Sequence, residues 1–267
     1  MCALLTQVNG IIFIEYRKGS LLPTFIIMTV KEHYDNHLGN FYSWMAGDFN
    51  TKQNEQQRFF IEQKILPFDT SIAIDLGAGH GLQSVSLAKL GFTVKAIDFN
   101  QQLLSELSAN SQGLPIEIIY DDIRTVKNYS FPKPELIVCT GDTITHLSDK
   151  KEIKQLIKDC VDVLCDNGKF IISFRDFSNP LIGDSRFIPV KSDDSRILTC
   201  CLDYLDNQVL VTDLLYTKIK NEWHQSISSY YKIRIGVTEI VDLIQDVGLK
   251  VLYNEPVNRL IMIVAQK

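Results

Sequence analysis

No run of Lys or Arg exceeds two residues, and 27 basic residues stand against 32 acidic ones, a formal net charge of −5 over 267 residues. A mildly acidic chain without a basic stripe is not built to grip nucleic acid or an anionic membrane surface. No apolar stretch approaches the roughly 20 residues of a membrane span. Residues 1–27 hold two apolar patches, Ile11 to Ile14 and Leu21 to Ile27, but Glu15, Arg17 and Lys18 divide them. A basic start leading into an apolar stretch and a cleavage site is also missing, which argues against a secretory signal. The six cysteines show no CxxC spacing and are expected to be reduced thiols of a cytoplasmic protein. Cys200 and Cys201 are expected to point to opposite faces of one strand. His33 and His37 lie four apart, a metal-ligand spacing, but no Cys or acid completes a site and Tyr34 and Leu38 carry the face expected to be buried, so no metal is expected. There is no internal repeat and no low-complexity tract.

What is present is ordinary globular composition, 45% hydrophobic and 22% charged, and enough chain for a full core. Residues 1–27 are expected to be an N-terminal extension, with Met28 the start of one domain over 28–267. Val30, Tyr34, Leu38, Phe41, Tyr42 and Met45 predict an amphipathic helix ending near Gly47. A polar segment, Thr51 to Gln57, leads into a second short helix through Phe59 and Ile65, stopped by Pro67; together 28–68 form a helical cap. From residue 70, short β-branched runs alternate with helices, which indicates βαβ units and a parallel sheet. The strands are Ser71–Leu76, Phe92–Asp98, Ile116–Tyr120, Leu136–Thr140 and Lys169–Phe174. Asn100 starts one helix, and Ser148 is the expected cap of a long one through Leu164. Residues 184–234 carry strand runs only, with a hairpin around Asp206-Asn207. Thr238 is the expected cap of a last helix, and Lys250–Asn254 with Leu260–Ala265 predict a closing antiparallel pair. The fold class is therefore α/β, a Rossmann-like doubly wound sheet, mostly parallel with an antiparallel last strand. It carries a helical cap and an antiparallel β insertion over an acceptor pocket.

The strongest chemical signal is Asp75-Leu76-Gly77-Ala78-Gly79-His80-Gly81, where a strand ends and a helix begins. Glycines there permit positive φ and close approach of a ligand to bare backbone. A dinucleotide site wants G-x-G-x-x-G, but position 82 is Leu and the third glycine comes one residue early. Asp75 would also sit badly beside a pyrophosphate. The second strand ends at Asp98, where a carboxylate can accept from a ribose diol, and the third at Asp121-Asp122, where an acid can accept from an adenine amino group. Three acids at successive strand ends around one glycine loop suit a cationic nucleoside without phosphate, and S-adenosylmethionine fits that description.

At these residues the chain resembles the class I S-adenosylmethionine-dependent methyltransferases, in particular the glycine N-methyltransferase group of small-molecule enzymes. Ile74 to Gly81 looks like the family's first motif, Ala96-Ile97-Asp98 its second, Asp122-Ile123-Arg124 its third and Cys139 to Leu147 its fourth. Phe41 to Asp48 resembles the helix that covers the cofactor, and Ser173 to Asp176 a motif that supplies a substrate arginine. The resemblance implies that Gly77, Ala78 and Gly79 approach the methionine moiety, that Asp98 with Phe99 holds the ribose, and that Asp122 and Ile123 hold the adenine. It further implies Tyr42 over the cofactor, Lys52 at the methionine carboxylate, and Asp75 and Cys139 at the cofactor. Arg175 would pair with an acceptor carboxylate. The family pattern has Asn where this chain has Asp142; an anion there is expected to neutralise Arg175 in part and to disfavour a carboxylate acceptor, leaving a neutral or amine-bearing one at least as well suited.

His146 and Asp142 are the candidate bases for an amine acceptor. Tyr34, Tyr231 and Arg234 are further candidates for acceptor contact, and His80 is expected to face solvent. The expected activity is in-line methyl transfer to nitrogen or oxygen of a small molecule. The competing expectations are a non-catalytic S-adenosylmethionine sensor or structural module and, against the glycine spacing, a nicotinamide oxidoreductase. Neither a nucleic-acid nor a membrane partner is expected.

Overall fold

The computed structural model describes residues 27–267 and two short paired strands near the N-terminus, β1 (Leu4–Val8) and β2 (Ile11–Glu15). Apart from these strands and Ile27, the expected extension 1–27 lies outside the described residues. Ile27–Met28 (β3) runs into α1 (Val30–Asn36), which Thr29 caps in a capping box with Glu32. Instead of one helix to Gly47, the chain breaks at His37 (φ −137°), passes through a 3₁₀ turn at Leu38–Phe41 and resumes as α2 (Tyr42–Ala46). The break presses Gly39 against Tyr34 and Asn100; a Cβ there would stand 2.6 Å from the Tyr34 carbonyl oxygen. The next helix, α3 (Phe49–Glu62), starts earlier than its apolar residues suggest because Asp48 accepts from the Thr51 amide, so the polar Thr51–Gln57 segment is helical.

The expected alternation follows: β4 (Ile72–Leu76), α4 (Leu82–Lys89), β5 (Thr93–Asp98), α5 (Gln101–Asn110), β6 (Ile116–Tyr120), β7 (Leu136–Cys139), α6 (Lys150–Val163) and β8 (Lys169–Phe174). Asp149, not Ser148, caps α6, taking the amides of Lys151 and Glu152. The insertion holds β9 (Phe187–Ser192), β10 (Arg196–Tyr204), β11 (Gln208–Ile219) and β12 (Glu222–Ile233). Cys200 and Cys201 are consecutive residues of β10, so they face opposite sides. Then come α7 (Val237–Asp246), begun at Gly236 rather than Thr238, and the closing hairpin β13 (Lys250–Val257) and β14 (Leu260–Gln266).

Two sheets matter for the site. One has seven strands in the order β13-β14-β8-β7-β4-β5-β6, with β8, β7, β4, β5 and β6 parallel and β14 antiparallel to β8. Ile74, Leu76 and Ile137 pack on one face against Ile153 and Ile157 of α6 and Ile240 and Ile244 of α7. Ala73, Val94 and Val138 pack on the other against Phe60 of α3 and Leu87 of α4. The second sheet is the insertion plus the strap, β3-β12-β11-β10-β9, with β3 parallel to β12. Its inner face meets the helical cap through Leu198, Leu215, Leu38 and Phe41. The cleft between this roof and the carboxyl ends of the parallel strands is where α/β sheets bind ligands. Among the described residues, no helix is long and apolar enough to cross a membrane.

Candidate active site

The β4–α4 turn bends as its glycines allow. Gly77, Gly79 and Gly81 all have positive φ (75°, 52° and 99°). Gly77 is needed twice over, because a Cβ there would sit 2.5 Å from the Thr143 side chain. The bare loop borders two joined spaces. A larger lobe of about 530 Å³ is lined by Asp98, Phe99, Asp122, Ile123 and Tyr231, with the Ile27–Lys31 strap above. A smaller lobe of about 120 Å³ is lined by Tyr34, Tyr42, Gly77, Ala78, Gly79 and His80. Gly77, Asp98, Phe99, Thr143 and His146 border both.

Asp98 is the best-fixed acid of the cleft. One oxygen accepts from the Gly79 amide and the other from the Asn100 amide, each at 2.8 Å. Burial pushes its carboxyl above the usual carboxylate range, against the opposing pull of those amides. Asp122 lies at the far end of the larger lobe; it accepts from the Arg124 amide and is clamped by the Arg124 guanidinium, which also reaches Glu152.

Beyond the β7 end, residues from distant elements converge. Asp142, in the left-handed region at φ 75°, accepts from the Arg175 amide at 2.9 Å and is ion-paired with Lys232 of β12. Burial pushes its carboxyl up, but Lys232, His146 and the Arg175 amide more than reverse this and hold it as an anion. His146 lies 3.4 Å from the Tyr34 hydroxyl, and burial together with Lys232 pushes its imidazole down to about 3. Tyr230 is stacked between His33 at 3.9 Å and His146 at 5.7 Å. His33 itself is buried, with Nδ1 2.7 Å from the Ser228 hydroxyl and Nε2 3.3 Å from the Asp213 carboxylate.

Residues 73–168 match a family model described as a methyltransferase domain. Over those residues the chain is similar to a methyltransferase domain. It is 24% identical over 137 residues to a glycine/sarcosine/dimethylglycine N-methyltransferase of Actinopolyspora halophila, covering 50% of this chain and 24% of that protein. It is 22% identical to a glycine/sarcosine N-methyltransferase of Aphanothece halophytica, covering 58% of this chain and 60% of that one. The match thus spans less than two thirds of these curated relatives. Among solved structures, the CcbJ methyltransferase from Streptomyces caelestis superposes with a TM-score of 0.71 at 14% identity, over 88% of this chain and 98% of its own. This likeness shows the shared fold.

The expected cofactor residues divide. Tyr42, Gly77, Ala78, Gly79, Asp98, Phe99, Asp122 and Ile123 border the lobes. Asp75 does not: it lies buried behind the loop, accepting from the Ser84 hydroxyl at 2.6 Å, and burial raises its carboxyl to about 7. Cys139 is wholly buried in the core under the sheet end, its thiol pushed up by burial to about 12. Lys52 turns along α3 to Glu55 at 2.8 Å and borders neither lobe.

The acceptor side divides too. Tyr34 and Tyr231 line the cleft, but the Arg234 guanidinium donates to the carbonyls of Phe177, Leu205 and Ser178 and acts as a structural clamp. Asp142 does not neutralise Arg175; it accepts only that residue's amide, and its ion-pair partner is Lys232. Arg175 is half-buried, and its guanidinium has no ion-pair partner among the described residues. His80 is buried against the rings of Tyr42 and Phe49 rather than facing solvent. His33 and His37 are both buried, so they and not only Tyr34 and Leu38 form the packed face of the cap. Lys232, Asp213 and Ser228 lie in strand runs whose inward register the sequence does not reveal, whereas Tyr230, which the sequence offers with Tyr231 for the pocket or for packing, is packed.

Proposed function

We propose that this chain transfers the methyl group of S-adenosylmethionine to the nitrogen of a small amine. The observation that carries this reading is Asp98: a buried acid at the β5 end, anchored by the Gly79 and Asn100 amides, bordering both lobes beside the bare glycine loop. That arrangement suits a ribose diol between a methionine portion in the small lobe and an adenine portion in the large one. Among the described residues no Lys or Arg borders the small lobe, which suits a ligand without phosphate. The first-turn amides of α4 stand beside that lobe at Leu82 and Gln83, where a helix N-terminus favours a carboxylate.

S-adenosylmethionine supplies a methyl group already activated on a positively charged sulfur. The protein is then left to position rather than to activate, and well-oriented reactants gain of order 7–11 kcal/mol at the limit. In the transfer an N–C bond forms as the S–C bond breaks, the electron pair stays on sulfur, and the positive charge moves to nitrogen. His146, held near 3, accepts a hydrogen bond from the acceptor without taking its proton. Bordering both lobes, it is placed to orient the lone pair. Arg175 borders neither lobe and is given no role toward the acceptor. The names of the relatives, which include glycine/sarcosine N-methyltransferases and a SAM-bound amino pentose methyltransferase from Micromonospora echinaspora, support nitrogen over oxygen.

The test is labelled-methyl transfer against panels of amino acids, amino sugars and hydroxylated analogues, after calorimetry with S-adenosylhomocysteine and NAD. Binding of the homocysteine form and methylation of an amine are expected. Binding without transfer to any panel member supports a sensor instead, and a preference for NAD overturns the cofactor assignment.

A further inference from the structure

Among the buried groups that the proposed transfer does not use, Lys232 sits in a preformed cage. It rises from the roof strand β12 and pairs its ammonium with Oδ2 of Asp142, the two side chains 12% and 9% exposed. Its Nζ stands 5.8 Å from the centre of the Tyr230 ring. That ring is fixed by its stacking on His33 and His146. Asp142 is fixed as firmly, with its other oxygen on the Arg175 amide and its own amide donating to the Ser173 carbonyl. A carboxylate and an aromatic face both attract a cation when screened from water. A buried carboxylate requires a positive partner but does not dictate the carbon skeleton that brings it. Asp142, Tyr230 and Lys232 themselves border neither lobe; the cage lies one residue behind the lining, since Thr143, next to Asp142 in the chain, and His146, stacked on Tyr230, border both.

We propose that the Asp142 carboxylate and the Tyr230 ring form the seat of the methylated ammonium product, and that Lys232 fills this seat as a built-in stand-in when no product is there. The inference rests on the amine-methylation reading and adds to it where the product's charge goes. A neutral amine has little claim on Asp142 against an ammonium, whereas the product carries the charge the cage selects. Return of Lys232 then competes with the product for one carboxylate and promotes its release.

The probe is N-methylpropylammonium chloride, titrated into the full chain with S-adenosylhomocysteine bound. Wild type is expected to bind it weakly, and Lys232→Met at least about tenfold more tightly, the equivalent of about 1.4 kcal/mol. Adding Asp142→Asn to Lys232→Met is expected to abolish the gain, and n-butanol, a neutral molecule of similar size, to show none. Equal binding of the probe to wild type and Lys232→Met overturns the proposal, as does a gain that survives Asp142→Asn. Failure of wild type to bind S-adenosylhomocysteine overturns the underlying reading instead, so the two failures are distinct. If Lys232→Met is too unstable to titrate, Lys232→Ala is melted with and without the probe. A larger upward shift in Tm for the variant than for wild type supports the seat, and equal shifts overturn it.

Discussion

On the glycine-loop side of the cleft, Asp98 meets the Gly79 amide 19 residues away in the chain and the Asn100 amide two residues away. On the side under the insertion sheet, Lys232 reaches Asp142 across 90 residues, and His33 reaches Ser228 across 195. The first half is made of turns and main-chain amides on the ends of neighbouring parallel strands. The second is made of side chains from the cap, the 3₁₀ turn after β7 and the insertion sheet. The anchors of Asp98 thus lie within the parallel sheet and its turns, whereas those of Asp142 and His33 also need the insertion sheet.

That contrast can be broken by substitution. Asp98→Ala should have the largest effect: removal of an acid whose hydrogen bonds are charge-assisted, at about 1.5–3 kcal/mol each, is expected to weaken S-adenosylhomocysteine binding by about 100-fold or more in calorimetry. An unchanged affinity would remove Asp98 from the site. Arg234→Ala frees three carbonyls, those of Phe177 and Ser178 in the chain after β8 and that of Leu205 in the β10–β11 turn. A loss of about 2 kcal/mol in chemical denaturation is expected, by the scale for lost charged hydrogen bonds, with cofactor affinity reduced far less than by Asp98→Ala. A comparable fall in both would mean that the two halves are not built independently.

A finer test is Asp75→Asn. The folded carboxyl binds its proton up to about pH 7, whereas an unfolded aspartate releases it near pH 4, about its ordinary value. Folding thus takes up a proton in that window, and stability falls as pH rises from about 4 to 7. Asn keeps the acceptor for Ser84 without titrating, so the Tm of the variant should lose that part of the slope. A slope identical to wild type refutes the assignment. Lys52→Ala should do least. Its pairing with Glu55 is a surface contact within one helix, worth about 0.3–0.5 kcal/mol, and cofactor affinity should change less than twofold.

The same contrast explains what the sequence revealed. Gly77, Gly79 and Asp98 were legible because a positive-φ turn and a strand-end acid are local features. The parallel order of the strands followed from the alternation of elements. Lys232 and Asp213 were not legible, because a polar residue on an antiparallel strand faces in or out according to a register that residues far away decide. His80 was misjudged for a related reason: Tyr42 and Phe49, which bury it, come from the cap. The broken first helix escaped a periodicity argument because Leu38 and Phe41 keep an apolar spacing through a 3₁₀ turn. Asp75 and Lys52 carry chemistry that suits the expected ligand but border neither lobe.

The insertion leaves and rejoins the chain at almost one point. The Phe177 amide donates to the Ile235 carbonyl at 3.2 Å, and the Arg234 side chain donates to the Phe177 carbonyl at 3.0 Å. The two stems of the roof are thus knotted together where they meet the sheet. A segment joined through one tied neck can be cut out and replaced without re-threading the strands beneath. Exchanging residues 178–233 for another antiparallel insertion is therefore expected to leave the parallel sheet and its glycine loop in place.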